Sequence, residues 1–196
     1  MTAQPAEQSG WRMPPMDGYT VDDLLTLPDL PPHTELIDGS LVLVSPQRYF
    51  HFVTIDLLVT GLRSSVPPDL RVAREMTVVL DSRNGPEPDI CVIKAAAKKG
   101  LRQTYFEGKD VVLAVEVISP ESEARDRLTK THKYAAAGIR YYWVVEMAEP
   151  DDYPVVEVFE LSEKSGTYRS TGIHRDRLKV DKPYPIDIDL TAIDNL

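Results

Sequence analysis

The chain has one cysteine, Cys91, among its 196 residues. No intrachain disulfide and no cysteine-built zinc cage is open to it, and a small core residue in a reducing compartment is the expected role. No apolar stretch approaches the roughly 18 residues that span a bilayer, and Met1 to Met16 lacks the basic and apolar regions of a signal peptide. A cytoplasmic location with no membrane association is the expectation. Basic charge is also short: 22 Lys and Arg face 31 Asp and Glu, a formal net charge of −9. Such a field repels a polyanion overall and counts against a nonspecific, high-affinity nucleic-acid binder. It leaves room for an enzyme acting on DNA, because carboxylates gathered for a divalent cation inflate the negative count of the bare sequence. Internal repeats, low-complexity blocks and a separate target-recognition domain are missing too. What remains has the composition of an ordinary globular chain, long enough for one domain with a sizeable core.

Residues 1–18 carry Pro, Gln, Ser and Gly without periodicity and read as a mobile tail. Thr20 is placed to cap a short helix through Val21, Leu24, Leu25 and Leu27, ended by Pro28 and the Pro31-Pro32 pair. From Thr34 to Pro46, Asp38-Gly39 between two apolar runs predicts a hairpin with Glu35 in its first strand. Apolar positions recur at helical spacing from Tyr49 to Ser65, and Pro67-Pro68 closes that helix. His51 opens it, where a lone histidine is more often a cap or surface residue than a base. Strands are expected from Leu70 to Leu80, with a break near Arg74, and from Ile90 to Ile93 after the turn Asn84-Gly85-Pro86-Glu87-Pro88. Asp89 stands at the mouth of the second. Lys94 to Lys109 is polar and basic and reads as a short helix and loop.

The chain is organised around Val111-Val112-Leu113-Ala114-Val115-Glu116-Val117-Ile118-Ser119-Pro120. A continuous, β-branched run stopped by Ser-Pro reads as a strand buried on both faces, which puts Glu116 in or beside the core. An ionised carboxylate there costs several kcal/mol unless a cation, a metal or several donors satisfy it. Beyond it, Ser122 is placed to cap a helix to about Ala137, stopped by Gly138. Asp126, Lys130 and Tyr134, four apart, form a row on one face of that helix. A strand from Tyr141 to Glu146 completes a β-α-β crossover, and a hairpin of Val155 to Leu161 and Tyr168 to Ile173 turns at Lys164-Ser165-Gly166. Trp143 and the Tyr141-Tyr142 pair are expected to pack the sheet. The fold class is α/β (α+β mixed), a mixed central β-sheet flanked by helices. One domain is expected over residues 19–180, followed by an extended C-terminal segment, 181–196. Asp187, Asp189 and Asp194 in that segment read as a solvated acidic tail rather than a metal cluster.

Glu35, Asp89, Glu116 and Lys130 are the residues best suited to chemistry. Hard divalent cations such as Mg²⁺ take oxygen ligands in octahedral geometry and often need only one or two carboxylates, with water and phosphate completing the shell. Asp89 at one strand mouth and Glu116 near the end of its neighbour could converge on one ion.

Pro88-Asp89 followed by Glu116 in a buried strand resembles the PD-(D/E)XK nuclease superfamily. The run Glu116-Val117-Ile118-Ser119-Pro120, Asp126, Lys130, Tyr134, Ala137-Gly138-Ile139 and Tyr142-Trp143-Val144-Val145 is similar to the restriction endonuclease family called Uma, type two. Glu35-Leu36-Ile37-Asp38-Gly39, Ser45-Pro46 and His51 also fit that family's pattern, so the resemblance covers most of residues 34 to 162. It implies a restriction-endonuclease-like fold in which Asp89 and Glu116, helped by the backbone carbonyl of Val117, bind a catalytic Mg²⁺ or Mn²⁺. Glu35 would be an accessory acid near the same ion. Ile118 stands where the superfamily's E-x-K lysine is usual, and Lys130 on the following helix matches the displaced lysine of this family. Asp126 and Tyr134 would support that lysine, with Ser119 and His51 as further supporting residues. Ser122 stands where a Thr is common, and Glu121, where a Ser is common, puts a carboxylate near a proposed phosphate site.

The resemblance thus implies a Mg-dependent endodeoxyribonuclease that hydrolyses DNA phosphodiesters. Weak or structure-selective DNA binding is expected, because no target-recognition domain is visible. A homodimer would match the dyad symmetry of a duplex. Two alternatives stay open. One is a catalytically inactive nuclease-fold protein-interaction module, marked by a Glu116 that pairs with Lys or Arg and by the absence of tight metal binding. The other is a hydrolase of small phosphodiesters, which the negative charge suits.

Overall fold

Val111–Val117 is a seven-residue strand with both faces covered, and the other elements are layered about it. The computed structural model describes residues 14–43, 46–118, 125–148, 150 and 152–196, with residues 125 and 126 described by their backbone alone. In chain order the elements are α1 (Val21–Thr26), β1 (Glu35–Ile37), β2 (Ser40–Val42), α2 (Tyr49–Ser65), β3 (Leu70–Arg74), β4 (Thr77–Val79), β5 (Ile90–Lys94), β6 (Tyr105–Glu107) and β7 (Val111–Val117). A π-helical stretch, Arg125–Lys130, then runs into α3 (Thr131–Ala136). The chain finishes with β8 (Tyr141–Met147), β9 (Pro154–Leu161), β10 (Tyr168–His174), β11 (Arg177–Val180), β12 (Ile186–Asp189) and a 3₁₀ turn, Leu190–Asn195.

Six strands form the main sheet in the order β10-β9-β8-β7-β5-β3. β7 and β8 are parallel, joined across the π/α3 helix, and the other neighbours are antiparallel. The fold is therefore mixed α/β with a mixed central sheet flanked by helices. Successive side chains of β7 point to opposite faces. Leu113, Val115 and Val117 join Ile55, Leu58 and Leu62 of α2 in one core. Ala114 joins Tyr134, Ile139 and Tyr142 in the other. Burial on both faces is why this strand reads as an unbroken aliphatic run.

Local chemistry accounts for the element ends. Thr20 caps α1 in a reciprocal box with Asp23. Asp38 and Gly39 both take positive φ, 50° and 76°, as the two-residue turn from Ile37 to Ser40 requires. Gly138, at φ 76°, follows α3 and stops it.

Three features differ from the sequence-based expectation. Leu70 to Leu80 breaks as expected near Arg74, but its second part leaves the main sheet and pairs in parallel with β6. β6 lies in the stretch that reads as loop, where a three-residue strand among polar neighbours gives no periodic signal. The helix expected from Ser122 to Ala137 begins, within the described residues, as a π-helix and becomes α only at Thr131; Ser122 lies outside the described residues. In the C-terminal stretch, β12 pairs with β11, and Ile186, Ile188 and Leu190 are buried in the α2-side core.

Candidate active site

Glu116 alternates with Val115 and Val117, so it shares the face of Ala114 and looks toward α3. Tyr134 Oη donates to Glu116 Oε1 at 2.6 Å and Lys130 Nζ donates to Oε2 at 3.0 Å. Lys130 Nζ also lies 2.8 Å from Glu35 Oε1, which accepts the Glu87 backbone N–H at 2.8 Å. Glu35, Glu116 and Lys130 are 1, 2 and 3% exposed. Lys130 and Tyr134 are one helical turn apart, which lets both reach one carboxylate. The π turn before Lys130 is a helix geometry found frequently at functional sites. Burial, reinforced by the Glu116 and Glu35 carboxylates, pushes the Tyr134 phenol well above its ordinary value, so it stays a proton donor to Glu116.

The β5–β7 register pairs Ile90 with Val115 and Cys91 with Ala114. Continued by one residue, it sets Asp89 across from Glu116. Asp89 Oδ2 accepts the Val117 backbone N–H at 2.6 Å, and Oδ1 lies 3.1 Å from His51 Nε2. His51 is in the first turn of α2, and Asp89 is thereby held between the end of the central strand and the start of that helix. Asp89 opens on a cleft of about 330 Å³ that His33, His51, Phe52, Arg74, Glu75 and Glu87 also line. On its wall His33 Nδ1 lies 2.5 Å from Glu87 Oε1. The hydrogen bond to Glu87 raises the His33 imidazole above its ordinary value, while burial raises the Glu87 carboxyl. Arg74 is held by Asp56 at 2.5 Å and Glu75 at 3.0 Å.

The structure brings together Glu35, Glu116, Lys130 and Tyr134 in one buried cluster, with Asp89 and His51 beside it at the cleft. Ser119 lies outside the described residues, as does the side chain of Asp126. Sequence reasoning misses Glu87, His33, Arg74, Glu75 and Phe52. Glu87 reads as punctuation between Pro86 and Pro88, and His33 follows a Pro-Pro break. A carboxylate two residues before Asp89, in a turn that need not carry one, is the available signal. Asp187, Asp189 and Asp194 do not form a site: Asp187 pairs with Arg177, Asp189 caps the last turn, and Asp194 accepts from Tyr153.

The marker of the silent alternative, a lysine on Glu116, is present, and the lysine is Lys130 itself. The pair is thus common to the catalytic and the silent reading. Among the described residues, no group of three His, Cys, Asp or Glu is already gathered as a metal cage. Asp89 and Glu116 nevertheless offer hard oxygens from adjacent strand ends, and a Mg²⁺ site built on two carboxylates and solvent needs no third side chain. The donor chemistry fits Mg²⁺ or Mn²⁺.

The Uma2 family model, described as "Putative restriction endonuclease", matches residues 21–192. A search of curated proteins gives no match. Among solved structures, the chain is similar to the crystal structure of "a putative nuclease belonging to DUF820" from Anabaena variabilis, at a TM-score of 0.64 and 17% identity over 84% of this chain and 89% of that one. At that identity the likeness speaks for the fold alone. In this chain no helix among the described residues is long and apolar enough to cross a membrane.

Proposed function

The chain belongs to the Uma2 family, and from that premise we propose that it is a divalent-metal-dependent endonuclease hydrolysing DNA phosphodiester bonds, with Asp89 and Glu116, on facing positions of adjacent strands, as its metal-binding carboxylates. The observation that carries this reading is the family match over residues 21–192, and the site supports it with the buried ammonium of Lys130, delivered from the following helix to Glu116 and shared with Glu35. A lysine at the end of a central strand beside two carboxylates is the equipment phosphoryl chemistry needs, because the developing negative charge must be met by fixed positive charge.

Asp89, Glu116 and the Val117 backbone carbonyl would hold Mg²⁺ or Mn²⁺, which when bound supplies acidified water and neutralises charge on the phosphate. The chain's own residues do the rest. Lys130 is the cationic group for the reacting phosphate. Tyr134 fixes the Glu116 carboxylate, and the Val117 N–H and His51 fix Asp89. Glu35 holds Lys130 in place. Asp126 and Ser119 complete the supporting set. A homodimer would present one such site to each strand of a duplex.

One observation favours a second reading. Lys130 and Tyr134 already hydrogen-bond Glu116, which suits a catalytically silent interaction module. Calorimetric titration of Mg²⁺ and Mn²⁺ into the wild type, Asp89→Asn and Glu116→Gln, with nicking of supercoiled plasmid on the same samples, separates the two. Binding and nicking that both disappear in the variants support the nuclease. No binding by the wild type removes the metal site and leaves the silent module. Binding without nicking, together with turnover of an aryl phosphodiester, would move the assignment to a small-substrate hydrolase.

A further inference from the structure

The chain is acidic overall, yet residues 94–110 hold five cations, Lys94, Lys98, Lys99, Arg102 and Lys109, against two carboxylates, Glu107 and Asp110. Lys94 is engaged by Asp110 at 3.6 Å and by the Lys109 carbonyl. The other four are exposed, and none has a carboxylate partner among the described residues. That contrasts with Arg74, Arg127, Lys130, Lys133, Arg140 and Arg177, all in ion pairs. The loop is held in shape from inside. Gln103 Oε1 accepts the Lys99 N–H at 2.8 Å, and Gln103 Nε2 donates to the carbonyls of Ala97 at 3.1 Å and Tyr105 at 2.8 Å. Lys99 and Arg102 therefore stand on a braced turn, on either side of Leu101, which is 94% exposed. A cleft of about 350 Å³ lies under them, with Tyr105 in its wall.

From this we propose that residues 98–109 are a nucleic-acid docking surface that grips backbone phosphates away from the site of cleavage. The inference rests on the nuclease reading for the identity of the polyanion. Its geometry is independent of that reading. Lys94 and Asp89 bound β5, so the loop leaves the sheet about 16 Å from Asp89 at ~3.3 Å per residue. That is about five steps of a duplex at 3.4 Å per base pair. Lys98, Lys99 and Arg102 follow that end of β5 within eight residues, so a duplex running from the cleft toward it would bring its flanking phosphates to them, and they offset locally a field that otherwise repels it. The exposed Leu101 between two cations is the arrangement by which an apolar tip enters a groove while its neighbours hold phosphate.

The test uses the full chain and a labelled random-sequence duplex, with divalent metal withheld so that nothing is cut. Wild type is compared across a salt series with K98E/K99E/R102E and with K164E/R169E/K179E, an equal charge change elsewhere on exposed positions. The loop variant is expected to bind about tenfold more weakly or worse, with the salt slope shallower by about 0.9 for each phosphate no longer gripped; the control variant should retain most of the affinity. With Mg²⁺ restored, the loop variant should raise KM for plasmid nicking and leave kcat. Equal weakening in both variants, or wild-type affinity in the loop variant, overturns the surface while nicking by wild type keeps the nuclease. Binding through the loop with no nicking keeps the surface and removes the nuclease. No duplex binding by wild type, or capture by phosphatidylserine vesicles in preference to duplex, overturns the proposal.

Discussion

Lys130 Nζ lies 2.8 Å from Glu35 Oε1, a contact between the N-terminal hairpin and the helix that follows the central strand. The same ammonium reaches Glu116 at 3.0 Å, so one cation serves two carboxylates in a nearly dry setting. Lys130→Met keeps the stem's volume and removes only the charge. Breaking a buried pair from one side costs about 3–5 kcal/mol, and that loss is expected in urea unfolding at pH 7. A variant as stable as wild type at neutral pH would show that the cluster does not hold the fold together.

Tyr134→Phe is the subtler probe. The ring keeps its contact with Tyr142, at a centroid distance of 5.5 Å, and loses only the hydroxyl that donates to Glu116. Hydrogen bonds to charged acceptors contribute about 1.5–3 kcal/mol, so destabilisation in that range is expected. A double-mutant cycle with Glu116→Gln should show coupling on the order of 1 kcal/mol. Strict additivity would mean that the hydroxyl does not act through Glu116. Nicking should fall in step with the weakened positioning, which makes Tyr134 a positioning residue rather than a catalytic one.

How much of this is legible in the sequence follows from the range of the forces involved. β7 and α2 announce themselves because both are long and bury one face or two, which leaves a periodic record. Glu116 stands out for the same reason, as a charge inside an apolar run. β6 leaves no record: Tyr105-Phe106-Glu107 is short, and its partner Thr77–Val79 resembles a continuation of β3. The alternation Ile186-Asp187-Ile188-Asp189-Leu190 is a strand signal, but its aspartates draw attention to charge and away from the buried isoleucines between them. The His33–Glu87 pair joins residues far apart through two proline-rich turns, and nothing local encodes such a meeting. A cation on Glu116 is deducible as a requirement. That Lys130 also holds Glu35 is not, since that depends on where the hairpin docks.

Phe52 is 54% exposed at the cleft mouth, one residue from His51. An aromatic face beside the site can stack a base, an interaction worth about 1–3 kcal/mol by alanine substitution. Phe52→Ala is expected to raise KM for plasmid nicking by tenfold or more at about 1.4 kcal/mol per decade, with kcat and the melting temperature unchanged. A fall in kcat at constant KM would remove the stacking role.

Lys133 Nζ meets Asp38 Oδ1 at 2.5 Å, a second link between the hairpin that carries Glu35 and the helix that carries Tyr134. The lysine holds the Asp38 carboxyl below its ordinary value. A depressed folded value means that the ion form is favoured by folding. The stabilisation is therefore complete above the unfolded carboxyl value of about 4 and is lost as pH falls through the lower folded value. Asp38 is largely exposed, so solvent screens the pair and the effect belongs with exposed ion pairs, about 0.2–1 kcal/mol. Asp38→Asn keeps a side chain that tolerates the positive φ of 50° at this turn. The variant should be less stable than wild type at pH 7 by that small amount, with the gap closing in acid and in high salt. A gap that persists at low pH would assign the loss to the turn itself. If the gap closes as expected while nicking at pH 7 also falls, the link acts beyond stability, by keeping Glu35 in reach of Lys130.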